Sequence, residues 1–152
     1  MATVEVTFTP LPVHVRTARL VATAVARRSG VAESLLDEVR LAVGEACSRA
    51  VEAHLRHCPG QPIRVELTDD GEQFEVVVTD AVPEAVDGNG ASSRDTSDVP
   101  GGGSFAMLDG EVPLRLPDGV GLAVIAGLAD DVRIAPAGPG TSVTMSWKRR
   151  GG

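Results

Sequence analysis

The spacing of hydrophobic and polar positions along the chain predicts three helices and five strands. Val4, Val6 and Phe8 alternate with polar residues, which is typical of a half-buried strand over residues 2–8. Apolar residues recurring at helical spacing predict helices over residues 13–28, 32–55 and 121–128. Further apolar stretches predict strands over residues 63–68, 73–79, 131–135 and 141–147.

The order of these elements predicts the fold class. A strand, two helices, two strands, a helix and two strands fit an α/β two-layer sandwich over residues 1–147, with a mixed, mainly antiparallel sheet and helices on one face. Asp70-Gly71 lies between two alternating apolar runs, which is a strong hairpin signal. Residues 148–152 are expected to form a short tail.

Residues 80–118 differ from the rest of the chain. They are rich in Gly, Pro, Ser and Asp, and they carry eight acidic residues against two arginines. An irregular stretch of this length inside a small domain is usually a lid or a disordered segment, so we expect a long acidic lid insertion here. Within it, a short helix over residues 105–108 and a short strand over residues 112–116 are predicted.

Composition narrows the function classes. The 152 residues carry a formal net charge of −7, which disfavours sequence-independent nucleic-acid binding. No apolar run approaches the roughly 20 residues that cross a bilayer, and the first ten residues lack a signal-peptide pattern. Cys47 and Cys58 lie eleven residues apart in one predicted helix, about 16 Å, which is too far for a disulfide. We therefore expect a cytoplasmic protein without membrane or nucleic-acid partners.

Several residues could carry chemistry. Glu45 has Arg49 four residues later in a predicted helix, so it could form a surface ion pair or act as a general base. Asp80 ends a Val-rich strand, where a carboxylate either borders a ligand crevice or forms a turn. His54 and Cys58 have the spacing of metal ligands, but no fourth ligand is evident and no metal site is expected.

Two glycine-containing junctions complete the candidate set. Gly119-Val120-Gly121 precedes the third helix, and adjacent N–H groups at a helix N-terminus attract phosphate. Gly140-Thr141 precedes the last strand. Each signal alone is weak, because loop geometry explains such glycines equally well.

In their order and spacing these features resemble the GHKL (Bergerat) ATP-binding fold, and within it the anti-sigma-factor serine/threonine kinases. The matching segments are LAVGEACSRAVEAH (residues 41–54), the strand that ends at Asp80, GVGLAVIAGLAD (residues 119–130) and Gly140-Thr141. The resemblance implies that Glu45 is the catalytic base if the protein is active. It also implies a nucleotide site formed by Arg49, Asp80, Gly119, Gly121 and Thr141.

The resemblance further implies partners. In similar proteins the first helix meets a STAS-domain anti-anti-sigma factor and a related surface meets a sigma factor, so Arg16 and Arg19 are candidate partner contacts. Homodimer formation is also expected from the family.

Three residues depart from the family pattern. Arg49 stands where the family has the asparagine that supplies an oxygen to Mg²⁺, and Val82 and Glu84 replace glycines near Asp80. A guanidinium has no acceptor atom and would repel a cation, so Mg²⁺ binding is not expected. Arg49 could instead pair with phosphate in a metal-independent nucleotide or anion site, or it could neutralise Glu45 and leave the pocket empty.

The sequence thus favours a regulatory protein of a partner-switching system with impaired ATP binding. It would bind a STAS-domain anti-anti-sigma protein and/or a sigma factor. The alternative is an active ATP-dependent serine/threonine kinase that phosphorylates its anti-anti-sigma partner through Glu45.

Overall fold

The computed structural model describes residues 2–82, 103–106, 114–117 and 120–148. Its strands are β1 (Ala2–Phe8), β2 (Ile63–Asp69), β3 (Gln73–Thr79), β4 (Gly103–Ala106), β5 (Leu114–Pro117), β6 (Asp131–Ala137) and β7 (Gly140–Lys148). Its helices are α1 (Pro12–Arg28), α2 (Leu36–His57), which follows a 3₁₀ turn at Glu33–Leu35, and α3 (Val120–Leu128).

Five strands form one sheet in the order β1-β2-β3-β7-β6, and every neighbouring pair is antiparallel. The register aligns Val65 with Val78 in the next strand, and Val76 with Met145. Because side chains alternate across a sheet, this register gathers most of the apolar residues of the five strands on one face. The opposite face carries mainly Thr, Ser and Glu side chains. β4 and β5 pair with each other in a separate two-stranded sheet.

The apolar face of the sheet is covered by the helices. α2 buries a continuous stripe of mostly apolar side chains along its length, and it contacts both α1 and α3. α1 contributes the small side chains Ala18, Ala22 and Ala26 to the core, which let the two helices approach closely. The indole N–H of Trp147 donates to the Leu128 carbonyl at 2.9 Å, which ties β7 to the end of α3.

The predicted architecture is confirmed: the described residues form an α/β sandwich with helices on one face of an antiparallel sheet. Helix α2 begins later than predicted, because residues 33–35 form the 3₁₀ turn. The predicted short helix over residues 105–108 is wrong at its start, since Phe105 pairs with Arg115 in a β ladder. Most of the predicted lid (83–102, 107–113 and 118–119) lies outside the described residues, as does the tail after Lys148.

Among the described residues, none of the helices combines the length and the hydropathy that a transmembrane span requires.

Candidate ligand pocket

A pocket of about 110 Å³ opens between α2 and the sheet, where β3, β7 and β6 lie side by side. Its walls are mostly small or branched apolar side chains, with three polar residues among them. The lining residues are Ala46, Arg49, Ala50, Ala53, Val78, Asp80, Val82, Ile134, Thr141 and Val143. Mostly apolar walls with a few convergent polar groups are typical of small-molecule sites.

Asp80 is fixed where β3 ends beside the start of β7. Its Oδ1 accepts hydrogen bonds from the backbone N–H groups of Val82 at 2.9 Å and Thr141 at 3.2 Å. The Asp80 N–H in turn donates to the Thr141 carbonyl at 2.9 Å. A carboxylate has about four lone-pair sites, so an aspartate in this position can accept several hydrogen bonds at once.

Gly140 makes this arrangement possible. A Cβ at position 140 would collide with the Asp80 carbonyl oxygen and would lie 2.7 Å from Asp80 Oδ1. No other residue type fits so close an approach of two backbones without movement of β3 or β7. The Gly140-Thr141 pair therefore serves to position Asp80, a role that the spacing alone did not reveal.

His54 fixes the chain that follows Asp80. The Ala81 N–H donates to His54 Nε2 at 2.9 Å, so the proton of the neutral ring sits on Nδ1, which lies 2.9 Å from the Gln61 carbonyl oxygen. The side chain is fully buried. The sequence analysis names His54 only as a candidate metal ligand. The feature that could have indicated a buried structural role is its position on the buried stripe of α2, seven residues after Cys47 and four after Ala50.

Arg49 brings a positive charge to the pocket. The residue is half-buried, and within the part of the chain that the structure describes it takes part in no ion pair or hydrogen bond. The arrangement in which Arg49 neutralises Glu45 is therefore not seen. Glu45 itself is 2% exposed and does not line the pocket. Of the predicted site residues, the structure brings Arg49, Asp80 and Thr141 together and leaves Glu45 apart.

Arg19 is buried, so it is not available as the partner contact that the resemblance implies. It is only 3% exposed, and a Cβ at Gly44 would come within 2.6 Å of its Cδ, so its side chain packs against α2 at this glycine. Position 19 falls on the side of α1 that also buries Val15 and Ala22. Arg16, the other candidate contact, is exposed.

The remaining positions of the predicted nucleotide site are only partly described. Gly119 and Glu84 lie outside the described residues, and Gly121 is the second residue of α3. Val82 lines the pocket and is buried. Its branched side chain therefore occupies space that the resemblance assigns to glycine.

The two thiols are free. Burial raises the pKa of Cys47 to about 12, and for Cys58 burial and then the negative charge of Asp80 raise the pKa. Both groups therefore stay protonated near neutral pH, a state that disfavours nucleophilic attack. The described ranges hold no group of three or more His, Cys, Asp or Glu side chains that could bind a metal ion.

The fold and the pocket together define a class. A sheet covered by helices on one face, with a pocket between the second helix and an aspartate at a strand end, is the arrangement expected of the GHKL fold. The family model of the histidine kinase-like ATPase domain matches residues 8–147. The chain belongs to this family.

The comparison with solved structures agrees with the fold. The chain is similar to the RsbU and RsbW domains of Rv1364c from Mycobacterium tuberculosis, with a TM-score of 0.62 and 19% sequence identity. The match covers 97% of this chain and 32% of that chain, so the present chain spans about a third of its length. No curated protein matches the chain.

The family implies two ligands, a nucleotide and Mg²⁺, and the pocket residues suit the first better than the second. The apolar walls and the Asp80 carboxylate have the chemistry that a planar ring with an amino group requires, and Val82 narrows the space beside Asp80. A Mg²⁺ ion at position 49 does not fit, because magnesium requires oxygen ligands and the guanidinium offers only donors and a positive charge.

Proposed function

We propose that this protein is an anti-sigma-factor-like regulator of a partner-switching system. It binds a STAS-domain anti-anti-sigma protein and/or a sigma factor, and its magnesium-dependent ATP binding is impaired. Membership of the histidine kinase-like ATPase family and the likeness to a structure that includes an RsbW domain support the proposal. The observation that carries it is the exposed face of α1.

Four residues define this docking face: Val13, Arg16, Leu20 and Arg27. They follow each other at helical spacing on the side of α1 opposite the core. Val13 is 65% exposed and Leu20 is 59% exposed, two large apolar side chains two turns apart on the same side of the helix. Arginines beside exposed apolar residues are typical of protein interfaces.

Charge favours an acidic partner surface. The protein carries a net charge of −7, but the docking face itself has two arginines and no acidic member. Arg27 reaches Glu33 at 3.1 Å, whereas no ion pair in the described residues involves Arg16. A positive face on an acidic protein steers a complementary negative surface and rejects other orientations.

The second candidate is an active serine/threonine kinase. It requires a base that reaches the substrate hydroxyl and a cation that neutralises the phosphates. Glu45 is buried outside the pocket lining, and Arg49 replaces the expected metal ligand. Both features favour a binding module over an enzyme.

The test is a titration against the STAS-domain proteins encoded in the same genome. We expect one of them to bind, and the double variant R16E/L20D to bind it at least tenfold more weakly. The matched control is R64E, which reverses an exposed arginine on the open face of the sheet and should leave the affinity unchanged. Failure of every STAS-domain protein to bind, or full affinity of R16E/L20D, would overturn the proposal. Transfer of the ATP γ-phosphate to the partner would favour the kinase.

A further inference from the structure

We propose that the pocket binds a nucleotide without a divalent cation, and that the Arg49 guanidinium takes the place of the metal against the phosphate. This inference rests on the proposed function only in treating the pocket as the family's nucleotide site. It goes further by naming a metal-free mode of binding that is particular to this chain.

The first observation is the position of Arg49. It follows Ala46 and precedes Ala53 on the side of α2 that faces the pocket, and all three line it. The residue is half-buried, yet within the described ranges it makes no hydrogen bond or ion pair. A guanidinium held in a partly dry pocket loses water contacts that an anionic ligand would replace.

The second observation is the chemistry of the other pocket atoms. Val78, Val143 and Ile134 provide apolar surface from three adjacent strands, which suits one side of a planar ring. Asp80 places a carboxylate in the pocket wall, and a carboxylate is the acceptor that an amino group on that ring would pair with. A ligand that combines an amino-bearing ring with an anionic group matches the walls, Asp80 and Arg49 together. An adenine nucleotide has this chemistry.

The third observation is that, among the described residues, those lining the pocket offer few oxygen ligands for a metal near the guanidinium. Asp80 Oδ1 already accepts two backbone N–H groups, and Thr141 adds one hydroxyl. A divalent cation in this pocket would sit against a fixed positive charge and would lose its own water without gaining enough oxygens. A phosphate, in contrast, would accept two parallel hydrogen bonds from Arg49.

The proposal predicts opposite effects of Mg²⁺ on the ATP affinity of the wild type and of the variant R49N. Wild-type protein should bind ATP in the presence of EDTA, and excess Mg²⁺ should leave that affinity unchanged or weaken it. In the variant R49N, metal-free ATP should bind roughly ten- to hundred-fold more weakly, which is the usual effect of losing a charged hydrogen-bonded pair. Mg²⁺ should strengthen binding to R49N, because asparagine restores an oxygen ligand.

Isothermal titration measures these affinities directly. R49K keeps the charge but not the fork of donors, so it should retain metal-free binding with a several-fold loss. R64N makes the same change as R49N on the open face of the sheet and should behave as wild type. Inorganic phosphate and triphosphate, used as probes without the ring, should bind more weakly than ATP. Thermal melts of each variant establish that it is folded.

Several results would overturn the inference. These are no binding of ATP to the wild type in EDTA, tighter binding when Mg²⁺ is added, or metal-free binding that R49N leaves unchanged. Equal affinity for triphosphate and ATP would also contradict it, because the ring would then contribute nothing. A protein that binds its STAS partner but no nucleotide refutes this inference alone. One that binds metal-free ATP but no partner refutes the proposed function alone.

Discussion

His54 illustrates how one side chain can organise a site that it does not line. Its two nitrogens bridge the Gln61 carbonyl and the Ala81 N–H, so the loop after α2 and the chain after Asp80 are tied to the same ring. The ring is fully buried, so water cannot replace either hydrogen bond. The pocket geometry around Asp80 thus depends on a histidine that does not line the pocket.

We expect His54→Leu to destabilise the protein by about 2–4 kcal/mol, because leucine cannot make the two hydrogen bonds of the fully buried ring. Amide hydrogen exchange should become faster at Ala81 and Val82 than at the centre of β3. His54→Gln, which offers one donor and one acceptor, should recover part of the loss. His57→Leu is the control, since His57 is exposed and its loss should change stability by less than about 0.5 kcal/mol. Unchanged exchange at Ala81 in His54→Leu would contradict the assigned role.

Arg49 and Arg19 show what a sequence can and cannot reveal about single residues. The chemical consequence of arginine at position 49 follows from its side chain alone, and the structure adds that it lines the pocket. The burial of Arg19 could not be predicted in the same way. It depends on Gly44 in another helix, and that glycine leaves room for the arginine stem. Contacts between elements distant in sequence leave no local pattern.

Elements with a regular repeat of apolar residues have the bounds that the sequence predicts. β1, β3 and α1 agree with prediction to within a residue, because each has a regular apolar repeat. The segment over residues 105–108 has a short apolar run without a period, and a run of that kind fits a helix or a strand equally well. The pairing of Phe105 with Arg115 is decided by the partner strand, which local sequence does not encode.

The junction of β3 and β7 is the element-scale feature on which the pocket depends. Gly140→Ala would push a methyl group into the Asp80 carbonyl, so the strands must separate or Asp80 must move. We expect a loss of about 1–3 kcal/mol in urea unfolding, in the range of other overpacked sites.

Gly60→Ala provides the matched control for this change. Gly60 has open space around its Cα, so the added methyl group should leave stability nearly unchanged. Equal unfolding midpoints for Gly140→Ala and the wild type would show that the close approach is not required.

At the scale of the whole molecule, the residues that determine the fold differ from those that determine the proposed function. The register of the sheet and the stripe of α2 follow from apolar pattern, and they build a GHKL fold around a pocket. In the proposed function the ligand chemistry depends on a few residues in that pocket, and Arg49 adds a positive charge there. The proposal thus keeps the fold and changes the metal chemistry, which fits a regulator that acts by binding.

The most direct test of this account is a crystal structure with a non-hydrolysable ATP analogue and Mn²⁺, a magnesium substitute that anomalous scattering can locate. If Arg49 takes the place of the metal, phosphate oxygens will lie within hydrogen-bonding distance of its guanidinium, about 2.7–2.9 Å, and no manganese peak will appear in the pocket. A manganese ion coordinated between the phosphates and pocket oxygens, with Arg49 turned away, would contradict it.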